Sequence, residues 1–126
     1  MIKIAITNNS LVPQGVTSGY KVEFLDVSYM RILEIVRDRV HLGHEILTHP
    51  LAGSVKPGET PFRTVVIGER RDMLDHKSLQ LIEESIATYK KLNSGKKERV
   101  YTDKVLDDFR LIDYDLIFNG ETPLVQ

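Results

Sequence analysis

Ile2, Ile4 and Ile6 alternate with Lys3 and Ala5, and the run ends in Thr7-Asn8-Asn9. A period of two predicts an N-terminal strand. Residues 8–19 carry Pro13, Gly15 and Gly19 and read as a loop. Val22, Phe24 and Leu25 predict a second strand over 21–25, closed by Asp26. Tyr29, Ile32, Leu33, Val36 and Val40 then recur at helical spacing. This helix, 28–42, takes Asp26 or Ser28 as its cap. Gly43 ends it in the left-handed region, behind Arg37, Arg39 and His41, whose charge suits a helix C-terminus.

Glu45-Ile46-Leu47-Thr48 predicts a short strand stopped by His49-Pro50. Thr64-Val65-Val66-Ile67 is β-branched throughout and predicts a strand buried on both faces, inside the sheet and not at its edge. Leu79, Ile82, Ile86 and Tyr89 mark a helix over 76–93, opened by Asp75 or Ser78. Gly95 to Arg99 reads as an exposed charged linker, and Thr102 caps a last helix carrying Val105, Phe109 and Ile112. From 111 to 118 the chain is apolar on more than one side, which fits either a continued helix or a short strand.

The element order is β-β-α-β-loop-β-α-α. It predicts one α/β domain over 1–126: a small open sheet of four to five mostly parallel strands packed by helices. Strand 21–25, the helix and strand 45–48 predict a right-handed βαβ crossover. The connection 8–19 lacks a crossover helix, so the first two strands are either antiparallel neighbours or not neighbours.

Composition narrows the class. The chain has 126 residues, 41% apolar, enough for one ordinary core. A net charge of −1 gives no general pull toward nucleic acid or acidic lipid. With no Cys there is no disulfide, thiolate metal site or Cys nucleophile. That absence, an N-terminus too quickly polar for a signal peptide and the lack of any long apolar run predict a cytoplasmic protein. The triplet Asn8-Asn9-Ser10 then has no meaning as a glycosylation site.

Most candidate chemistry reduces to ordinary structure. Gly95-Lys96 resembles the end of a phosphate-binding loop, but the earlier Gly is missing and a helix precedes it. No dinucleotide fingerprint occurs. His41, His44 and His49 lie close in sequence, but Gly43 breaks the helix between the first two, so no metal site is predicted, with His44 solvated. No cofactor is expected. Glu83-Glu84 and Asp107-Asp108 are adjacent on helices, point about 100° apart and read as solvated faces.

The loop 49–63 differs. It holds Pro50, Pro57 and Pro61 with Gly53 and Gly58, and long loops without regular structure are often functional. Ser54, Lys56, Thr60 and Arg63 offer donors suited to a carboxylate or phosphate. A rigid surface loop, pinned by Leu51, Val55 and Phe62, is the equal alternative. In open parallel sheets ligands bind beyond the carboxyl ends of the strands. Parallel strands would bring Thr7, Asn8, Asn9 and His49 to one edge with Ser54, Lys56, Thr60 and Arg63 as an anion pocket.

The run His49-Pro-Leu-Ala-Gly-Ser-Val-Lys-Pro-Gly-Glu-Thr-Pro61 resembles the GrdX family, as do Val36-Arg37-Asp38, Gly43-His44, Thr7-Asn8-Asn9 and Leu81-Ile82-Glu83. Members of that family are encoded beside components of glycine, sarcosine and betaine reductases. The resemblance implies a cellular context and carries over no catalytic residues. The leading expectation is a non-enzymatic accessory protein with a small-anion or partner-binding loop, the partner being a reductase subunit. One rival is a small enzyme using His49 as acid or base and Lys56 to stabilise negative charge. The other is a structural homo-oligomer. A homodimer is predicted through 105–118, and through Leu124-Val125, because that segment holds more apolar surface than one domain buries.

Overall fold

The computed structural model describes residues 2–15, 18–52 and 56–119. Its elements are β1 (Lys3–Thr7), α1 (Leu11–Gly15), β2 (Tyr20–Phe24), α2 (Tyr29–His41), β3 (Thr64–Gly68), α3 (His76–Asn93) and α4 (Asp103–Phe118). The three strands form one sheet in the order β2-β1-β3. β1 runs parallel to β2, with Lys3 opposite Tyr20, and antiparallel to β3, with Thr7 opposite Thr64. β1 is central and helices cover both faces of the sheet, so Ala5 is as buried as Ile4 and Ile6. Alternation decides which core each residue joins. Ile4, Ile6, Val65 and Ile67 meet the apolar stripes of α2 and α3. Ala5 and Val66 meet Val12 of α1 and Ile117 of α4 on the other face.

The expected four to five mostly parallel strands are replaced by three in a mixed sheet. Residues 45–48 make a single antiparallel bridge, Ile46 to Ile67, and not a strand. Leu47 N–H donates to Val66 O at 2.8 Å, but the return bond from Val66 N–H goes to the Thr48 hydroxyl at 2.9 Å. A side chain thus takes the place of the next backbone rung and the ladder stops. β3 is consequently an edge strand, as β2 is on the other side, contrary to expectation, although Ile46 covers it and all five of its residues are buried. The segment 45–48 does run in the direction of β1 and β2, since it opposes β3. It is separated from β2 by two strands, so 21–48 is not a unit of adjacent strands.

The connection after β1 contains a helix after all. The Asn9 side chain accepts from Leu11 N–H at 3.0 Å and starts α1, which gives the chain a crossover long enough for parallel pairing with β2. The helix boundaries at 29–41 and 76–93 follow the apolar spacing, with Ser28, Asp75 and Thr102 as the caps. Residues 111–118 continue α4. His44 is not solvated: it is 3% exposed and its Nδ1 lies 2.8 Å from Gly68 O. Among the described residues no helix is long and apolar enough to cross a membrane.

Candidate functional site

Chain direction decides which groups meet. β1 and β2 end at the same edge of the sheet, and antiparallel β3 begins there. α3 follows β3 and returns toward that edge. The turn after β1, the β2–α2 turn, the end of the loop 56–63 and the α3–α4 linker therefore share one edge.

Asn8 fastens three of these pieces together. Its side-chain amide donates to Val27 O at 2.9 Å and to Pro61 O at 2.8 Å, and its oxygen accepts from Arg63 N–H at 2.8 Å. Thr7 and Asn9 serve a second network. The Thr7 and Thr64 hydroxyls are 2.7 Å apart, and Thr64 Oγ1 donates to the buried Asp113 carboxylate at 2.7 Å. Thr64 N–H and Asn9 Nδ2 donate to the same carboxylate at 3.1 and 3.0 Å. Asp113 thereby ties α4 to the start of β3. The donors expected to meet a ligand at Asn8 and Asn9 are engaged within the protein.

Beside Asn8 lies a cleft of about 890 Å³. The β2–α2 turn, the loop 58–62, the end of α3 and the linker 96–101 line it, bringing in Lys96, Lys97 and Arg99 together with Asp26 and Glu98. Its walls are braced. Gly58 has φ of +94°, and a Cβ there would overlap the Asn93 side-chain oxygen. Asn93 Nδ2 in turn donates to Tyr89 O at 2.8 Å and reaches Pro57 O at 3.4 Å. The Tyr101 hydroxyl donates to Glu59 O, joining linker to loop.

Of the expected site residues, Asn8 and Thr60 line this cleft. Thr7, Asn9 and Arg63 stand behind it, all buried. Lys56 is exposed, and neither it nor His49 is among the lining residues. Ser54, with Gly53 and Val55, lies outside the described residues. Leu51 packs on the main core, and Phe62 lies 4.8 Å beneath the Arg110 guanidinium, so the loop is anchored as well as available.

Arg63 is 2% exposed. Its guanidinium donates to Ala52 O and lies 5.3 Å from the Tyr29 ring centre. Its Nε and the buried Tyr29 hydroxyl have no hydrogen-bond partner among the described residues. Burial raises the Tyr29 pKa above 10, with the Arg63 charge opposing. His49 is shifted below 6.5, first by burial and then by Arg63. Its Nδ1 accepts from Leu51 N–H at 3.1 Å, which suits the neutral ring.

From sequence alone the charged linker reads only as solvent-facing. Its place at the cleft depends on the direction of β3, which no local pattern reveals. The one sequence signal for Asp113 is the spacing of four that places it on the face of Ile117.

A family model described as GrdX-like protein matches residues 4–120. The chain belongs to the GrdX-like family. The matched span of this GrdX-like chain includes both the cleft and the Asp113 network. Comparison with curated proteins and with solved structures finds no match.

Proposed function

We propose that this GrdX-like chain is a non-enzymatic accessory protein of glycine, sarcosine or betaine reductase metabolism, and that its cleft holds a small carboxylate or phosphate. The observation that carries the reading is the gathering of Lys96, Lys97 and Arg99, against two acids, around a cleft walled by the loop 58–62. An anion there gains charge-assisted hydrogen bonds. Family membership supports the metabolic context. The positions of His49 and Lys56 outside the cleft lining favour binding over catalysis.

The test is thermal stabilisation by phosphate and by glycine at fixed ionic strength. Lys96→Ala/Lys97→Ala should melt near the parent temperature and lose the ligand-induced rise. Equal stabilisation of parent and variant sinks the cleft as the site. A second property is proposed on its own observation. Leu111 and Ile112 of α4 are 52% and 39% exposed, and we assign them to a homodimer contact.

A further inference from the structure

We infer that the anion taken by this cleft carries a planar ring, as a mononucleotide does; the inference rests on the anion-binding reading and names the ligand class. The chain has five Tyr, four Phe and no Trp, and Tyr29, Phe62, Tyr89 and Tyr101 all line this one cleft. Two of these rings are already used. Tyr29 stacks on Tyr89 at 4.7 Å and lies near Arg63, and Phe62 lies under Arg110.

Tyr89 and Tyr101 are different. Both are half-buried. Among the described residues no further ring or guanidinium covers the second face of Tyr89. Tyr101 meets Phe109 edge-on at 80°, and its hydroxyl is held by Glu59 O, so its ring is fixed before any ligand arrives. Pre-positioned rings lose little freedom on binding. A stacking surface beside Lys96, Lys97 and Arg99 is the combination that recognises a base joined to a phosphate.

Size points the same way. A cleft of about 890 Å³ falls in the range of roughly 300–1,000 Å³ that holds organic ligands, and a lone phosphate would leave most of it to water.

The experiment compares AMP, ribose 5-phosphate, adenosine and inorganic phosphate on the full chain by calorimetry at fixed ionic strength. Tyrosine emission gives a second readout, since no Trp masks it. AMP should bind roughly tenfold or more tightly than ribose 5-phosphate. Tyr89→Leu and Tyr101→Leu should each reduce that advantage while leaving ribose 5-phosphate unchanged. Lys96→Ala/Lys97→Ala should weaken both phosphates. Equal affinity of AMP and ribose 5-phosphate for the parent protein overturns the planar-ring inference and leaves the anion reading standing. No binding of any phosphate, with no stabilisation by glycine, overturns both. The decisive comparison uses the parent protein, so a poorly folded variant does not remove the test.

Discussion

Asp113 takes three donors from two other elements inside a site that water does not reach. Removing the carboxylate strands Thr64 N–H and takes one of the two acceptors of Asn9 Nδ2, which keeps Arg110 O at 2.8 Å, and an orphaned buried polar group costs about 1–3 kcal/mol. Asp113→Ala should therefore lower stability by ~2–4 kcal/mol in urea unfolding, a loss to which the freed hydrogen bonds and the loosened α4 both contribute. A change under ~1 kcal/mol would mean that α4 is held without this carboxylate, by its apolar contacts and the Asn9 bond to Arg110 O. The sequence made this residue hard to see, because one acid among many on a helix reads as surface. Thr7, Asn8 and Asn9 were legible as important from their place after a strand, but the Thr7 hydroxyl and the two Asn amides close the fold. His49 adds a pH signature. Its folded pKa is depressed, so between that midpoint and about 6.5 the unfolded chain binds more protons. Its contribution is complete above about 6.5 and is lost as pH falls through the folded midpoint. His49→Gln should flatten the dependence of stability on pH in that window, and proton NMR should place the His49 midpoint below the ordinary value.

Helices were legible at the scale of elements because cap and stripe agree. Ser28, Asp75 and Thr102 each accept from the backbone N–H three residues on, just ahead of an apolar repeat. Strands were less so. Glu45 to Thr48 has the composition of a strand, yet Thr48 spends its hydroxyl on Val66 N–H and one bridge remains. Hydrogen-bond choice of that kind is tertiary and leaves no local pattern. Loop 56–62 is an element in its own right through Gly58. Ala at that position meets both a positive φ and Asn93. Gly58→Ala should cost more than ~1 kcal/mol, and Asn93→Ala in the same chain should recover only the steric part, since the backbone strain persists. Full recovery in the double variant would show that φ is not constrained there.

For the molecule as a whole, the predicted gathering of groups at one sheet edge came from assuming parallel strands, and β1, β2 and the direction of 45–48 agree with that assumption. What the assumption left out was an antiparallel β3, which sends α3 back and delivers Lys96 to Arg99 to the same edge. The far side of the sheet carries α1 and α4, and there the packing is thin. Of α4's sixteen residues only Asp113 and Ile117 are buried, and Leu111 and Ile112 face solvent next to each other. Adjacent positions on a helix lie about 100° apart, so the two widen the apolar face beyond the stripe that Ile117 uses. A net charge of −1 sets up little repulsion between copies. Leu124 and Val125 lie outside the described residues. Sedimentation at micromolar concentration should give twice the chain mass, and melting should depend on concentration, as it does when association stabilises the fold. Leu111→Asp/Ile112→Asp should sediment as one chain and lose that dependence while keeping its helical signal, because neither side chain supports the core. A parent protein that sediments as a single chain would sink the homodimer. The cleft readings would stand, since Leu111 and Ile112 are not among its lining residues.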